Sequence, residues 1–136
     1  MHVDRAQLTL VAAGGALGAM LRWSVELLYP TGSGAFPLAT LLMNVVGCFA
    51  LGVVAELATR DKVTANGKLF LGTGVLGGFT TFSTYAVQVA VLGGVGVDGA
   101  TDLALGLGYM LVTPVLCVLV AGYGMSIVRR LTTRMV

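Results

Sequence analysis

Four apolar stretches, at about 8–29, 36–57, 69–92 and 103–128, are each long enough to cross a bilayer, and they constrain this chain more than any other feature. A hydrocarbon core about 30 Å thick takes roughly 20 apolar residues of helix. The stretches and their connections therefore use nearly all of the 136 residues, and the chain reads as an all-α membrane protein with one integral membrane domain, 1–136. Composition agrees: 57% hydrophobic against 10% charged leaves too few polar side chains to coat a soluble globule. The first stretch is too long for a cleavable h-region and runs through Gly14, Gly15, Gly18 and Arg22, so it is expected to stay in the mature protein.

The breaks between stretches carry turn and charge signals: Pro30-Thr31-Gly32-Ser33-Gly34, then Arg60-Asp61-Lys62 through Asn66-Gly67-Lys68, then Gly93 to Gly99. Arg5, the group Arg60, Lys62 and Lys68, and the group Arg129, Arg130 and Arg134 all fall on one side of the spans. The opposite connections hold no lysine or arginine, which by the positive-inside rule puts both termini in the cytoplasm of a multi-pass protein of the cell membrane. Basic residues gathered this way anchor spans; they form no stripe of the kind that binds nucleic acid, and none is expected as a partner. His2 stands alone and carries no signal, and Cys48 and Cys117 lie inside apolar stretches without CxxC or Cys/His spacing, which argues against a zinc site or a disulfide framework.

Twenty glycines would weaken soluble helices, but in a membrane they let backbones approach. Gly14-x-x-x-Gly18 and Gly74-x-x-x-Gly78 are small-xxx-small pairs that suit packing within one subunit or between two. Arg22 and Glu26 stand i,i+4, a pairing that lowers the cost of an intramembrane charge, with Arg22 expected to snorkel toward the headgroups.

The third stretch does not read as an ordinary span. Leu76-Gly77-Gly78-Phe79-Thr80-Thr81-Phe82-Ser83-Thr84-Tyr85 puts two glycines and four hydroxyl residues in its middle. Adjacent glycines cost a helix about 1 kcal/mol each relative to alanine, and Ser/Thr side chains offer the backbone other partners. A break there is tolerable in a membrane only where protein, an aqueous path or an ion satisfies the freed groups, so broken spans mark ion or substrate sites. The competing reading is a continuous helix whose hydroxyls bond to their own carbonyls. Thr40 and Asn44 share one face of the second stretch, and Tyr109, Thr113 and Cys117 share one face of the fourth. Asn44 either lines a path or glues helices together, and Thr113 could satisfy a carbonyl freed by Pro114.

Three segments together resemble those of the CrcB/Fluc fluoride channels: Gly14 to Trp23, Thr40 to Gly47, and Gly77-Gly78-Phe79-Thr80-Thr81-Phe82-Ser83-Thr84, the third being the specific one. The resemblance implies an antiparallel dimer with fluoride as the transported ion. It also implies a broken third helix and a structural Na+ held at the dimer centre by the backbone carbonyls of Gly77 and Thr80. Arg22, Gly14, Gly18 and Gly78 would be structural. The fluoride pathway would run by Asn44, Phe82, Tyr85, Ser83, Thr84, Thr40, Tyr109 and Thr113. Hydroxyl and amide donors can replace water around a small anion, and electropositive ring edges can admit it without a fixed cation. Tyr85 stands where the family usually has phenylalanine, and Cys117 where serine is common. The one-sided charge favours a single orientation, so the dimer is either a homodimer or a pair with an oppositely oriented homologue.

Two other classes compete. A small proton-coupled multidrug-type exporter would need an acid deep in a helix, and Glu26 lies only a few residues from Tyr29-Pro30. A packing subunit would use the glycines but leave Asn44 and the hydroxyls idle. No His/carboxylate/thiol constellation falls in the spans, so no enzyme is expected.

Overall fold

A computed structural model describes residues 4–32, 35–95 and 102–133. His2, Ser33, Gly34, the Gly96 to Gly99 part of the last connection, and Arg134 lie outside the described residues. Among the described residues the protein is all-helical, and four helical spans are long and apolar enough to cross a membrane. They are α1 (Arg5–Leu28), α2 (Leu38–Thr59), the interrupted third span Ala65–Leu92, and the last helix, Leu103–Thr133.

Local chemistry explains the starts. The Asp4 carboxylate accepts from the Ala6 N–H at 2.9 Å and opens α1, three residues before the apolar pattern begins. Thr64 does the same for the third span, accepting from the Gly67 N–H at 3.1 Å. That span runs as a short α3 (Ala65–Lys68), a π-helical stretch (Leu69–Leu76), a single turn α4 (Gly77–Phe79), an extended break, and α5 (Phe82–Leu92). The final helix, α6, carries Pro114 in its interior and extends to Thr133, past the apolar run.

The small-residue pairs work within one chain. Gly14 and Gly18 press α1 against the π stretch and α4 so closely that a side chain at Gly14 would meet the Phe70 carbonyl, and one at Gly18 the Val75 carbonyl. Gly78 returns the contact, its α-carbon facing the Gly15 backbone. On the other side, α2 lies along α6, with Gly52 against the Ala121 backbone and Gly124 against the Phe49 carbonyl.

The two helices run in the same direction and keep one register, so Thr40/Tyr109, Asn44/Thr113, Cys48/Cys117 and Gly52/Ala121 succeed one another turn by turn. At the far end of this ladder Glu56, 4% exposed, takes Arg60 on one carboxylate oxygen and Arg129 on the other, both at 2.9 Å. That clasp ties the ends of α2 and α6 together where the basic residues gather.

Candidate functional site

The break falls at Thr80 and Thr81, both with extended backbone (ψ 153° and 122°), inside the glycine and hydroxyl segment. Helix ends leave carbonyls and N–H groups without helical partners, and four of the groups at this break have other partners. The Thr81 N–H, which in a continuous helix would bond the Gly77 carbonyl, instead donates to Asn44 Oδ1 at 2.8 Å. Asn44 Nδ2 donates back to the Thr81 carbonyl at 3.0 Å. The Thr84 N–H, the helical partner of the Thr80 carbonyl, donates to the Thr81 hydroxyl at 3.1 Å, which caps α5. Arg22 Nε donates to the Gly78 carbonyl at 3.2 Å.

Two expectations gain content from this accounting. Asn44 does glue helices together, since its amide bonds both polar groups of the Thr81 backbone, yet it keeps a second amide proton and borders the cleft described below. Arg22 turns inward rather than snorkelling, because a carbonyl orphaned by the break is a better partner than water at the membrane edge. Its contact with Glu26 is 3.7 Å long, too far for a hydrogen bond, and Glu26 Oε1 is left without one.

Beside the break lies a cleft of about 340 Å³ between α2, α5 and α6, whose lining residues are all uncharged. It brings together Asn44, Phe82, Tyr85 and Thr113 from the sequence-based set, with Thr80, Thr81, Cys48 and Cys117. Thr113 is 3% exposed and its hydroxyl has no hydrogen-bond partner, so it does not serve the carbonyl freed by Pro114. Phe82 is 80% exposed at the cleft mouth, its ring 5.7 Å from that of Tyr85, which in turn lies 5.2 Å from Tyr109. The Tyr109 ring meets Phe36 edge-on at 5.5 Å. The four rings thus follow one another from the cleft mouth toward Phe36, and ring edges of this kind are electropositive.

The hydroxyls divide into free and committed donors. Tyr85 donates to the Met110 carbonyl at 2.5 Å, and Tyr109 donates to Gln88 Oε1 at 3.2 Å. Gln88 Nε2 donates to Thr40 Oγ1 at 2.9 Å, which leaves the Thr40 proton and the second Gln88 amide proton uncommitted. Thr84 Oγ1 accepts from Thr81 Oγ1 at 3.0 Å, and Ser83 Oγ lies 3.4 Å from the same hydroxyl. Thr40 and Tyr109 thus sit about a turn from the cleft, joined through Gln88.

Gln88 and Thr81 are functional candidates that the sequence-based set missed. The signal for Gln88 was present: an amide deep in an apolar stretch must find partners, the argument already made for Asn44. Glu56 was missed too, although an acid four residues before Arg60 is a pairing pattern. Among the described residues no group of three or more His, Cys, Asp or Glu converges on a metal position. Main-chain oxygens are another kind of cation ligand, and the Gly77 and Thr80 carbonyls are two whose helical donors have been drawn elsewhere.

The comparisons with known proteins converge. A family model described as "CrcB-like protein, Camphor Resistance (CrcB)" matches residues 9–125. The fluoride-specific ion channel FluC 2 of Nocardia farcinica is 46% identical over 91 residues, 66% of this chain and 65% of the relative. FluC 2 of Streptomyces avermitilis is 47% identical over 93 residues, 67% of this chain and 58% of the relative. FluC of Rhizobium etli is 42% identical over 113 residues, 73% of this chain and 87% of the relative. The matched chain spans less than two thirds of the first two relatives' length and most of the third's.

Proposed function

The chain belongs to the CrcB family, and from that premise we propose that it is a subunit of a fluoride-specific channel that lets the ion leave the cytoplasm passively. The observation that carries this reading is the uncharged cleft at the interrupted span, where the unpartnered Thr113 hydroxyl and the Phe82 and Tyr85 rings adjoin a break held open by Asn44. A small, strongly hydrated anion needs a replacement donor at each step and no site that traps it. Buried hydroxyls and ring edges meet the first need, and the lack of a lining cation meets the second. Thr40 and Gln88 supply further donors toward one end of the route, and Ser83 and Thr84 lie at the start of α5. The chain conducts rather than catalyses.

In acidified surroundings fluoride enters a cell as the neutral acid, so a passive anion route driven by the membrane potential suffices to lower its internal level. The proton-coupled exporter has no comparable support. Glu56, the buried acid, has an arginine on each oxygen, and Glu26 lies beside Arg22.

The working unit is an antiparallel dimer, either of this chain or with an oppositely oriented homologue, with both termini of this chain cytoplasmic. The exposed Phe82 and the free side of the break suit burial against a second subunit. The Gly77 and Thr80 carbonyls of the two subunits would hold a sodium ion, a hard cation that favours oxygen, and it would fix the paired breaks electrostatically. Purified protein in liposomes tests the function: fluoride should leave passively and far faster than chloride, and equal rates for the two anions reject the proposal.

A further inference from the structure

The cleft contains a pair of thiols to which the channel reading assigns no role. Cys48 of α2 and Cys117 of α6 stand at the same rung of the parallel ladder, both half-buried, both free, and both lining the one cleft. One turn along each helix, Gly52 and Ala121 bring the two backbones into contact, which holds the thiols side by side. One turn the other way, the unpartnered Thr113 hydroxyl is buried against the same space.

We propose that Cys48 and Cys117 form a two-thiol site for a soft, two-coordinate cation such as cuprous ion, and that its occupation obstructs the cleft. Thiolates select soft metals, and the ligand count decides among them. Structural zinc takes four protein ligands, whereas the described residues offer no third His, Cys, Asp or Glu at this point. A d10 monovalent ion is satisfied by two sulfurs in line. Binding exchanges two S–H bonds for two metal–sulfur bonds and releases two protons, with no change of oxidation state. The cation would sit next to Tyr85 and Phe82, on the route assigned above, so the obstructing half of this proposal rests on the channel reading.

The two claims separate experimentally. Purified protein is titrated anaerobically with cuprous ion against a chromophoric chelator, beside the Cys48→Ser and Cys117→Ser variants. The intact chain should withhold one copper per chain, each variant should bind at least tenfold more weakly, and zinc should not compete. A single variant that binds like the intact chain, or an intact chain that withholds no copper, overturns the site. Fluoride efflux is then compared with each protein's own metal-free rate. Copper should slow the intact chain and spare the variants; copper bound without slowing an active channel overturns the obstruction. Copper bound by a protein that passes no fluoride, whether alone or paired with an oppositely oriented homologue, sinks the channel reading and leaves the thiol site standing.

Discussion

The side-chain amide of Asn44 grips both main-chain polar groups of Thr81, accepting its N–H at 2.8 Å and donating to its carbonyl at 3.0 Å. An amide side chain thereby does for one residue what a neighbouring strand or helical turn would otherwise do. α2 brings this one group to the height of the interruption in the third span.

Replacing Asn44 with alanine removes both partners at once. Each buried main-chain group left unsatisfied costs about 1–3 kcal/mol. The variant is expected to lose thermal stability in detergent and fluoride flux together, measured by size-exclusion after heating and by liposome efflux. A variant as stable as the parent would show that the break does not depend on this grip.

The two faces of the glycine segment in α1 give opposite outcomes. A β-carbon at Gly18 would collide with the Val75 carbonyl and the Phe79 N–H, whereas one at Gly15 meets nothing within 4 Å. Gly18→Ala should therefore yield little folded protein, and Gly15→Ala nearly normal amounts. Equal yields would mean that α1 packs elsewhere.

Phe82→Ile keeps an apolar side chain at the exposed mouth but removes the ring edge facing Tyr85. Fluoride flux should fall several-fold while the oligomeric state, read by chemical crosslinking, stays unchanged. Unaltered flux would take this ring off the route.

Orientation follows from the basic residues, including Arg60 and Arg129, which meet on Glu56 at one end of the bundle. Reporter fusions at the C-terminus should signal from the cytoplasm alone. Equal signals from both sides of the membrane would mean that the subunit inserts both ways and can pair with itself.

Much of this was legible in the sequence because a bilayer makes strong local demands. A span needs length and apolarity, and a break needs glycines and hydroxyls, so Gly77, Gly78, Thr80 and Thr81 announced theirs. The π-helical geometry of Leu69–Leu76 was not legible, since LFLGTGVL carries no polar pattern and its contacts lie on α1. Partners were hidden for the same reason. Asn44 stood out as a buried amide, but that its partner is the Thr81 backbone depends on how α2 is set against the third span. Gln88 sat outside the quoted segments, and its bonds to Thr40 and Tyr109 arise from three helices meeting. The choice of Arg22 between headgroups and the Gly78 carbonyl likewise depended on where the break left an unpaired acceptor.

The central claim is that fluoride crosses alone through an uncharged route beside the interrupted span. A planar bilayer containing the purified protein under a fluoride gradient measures this directly. The account predicts a reversal potential that follows the fluoride gradient and does not move when pH or chloride is changed on one side. A potential that shifts with the proton gradient, or that tracks chloride, would contradict it.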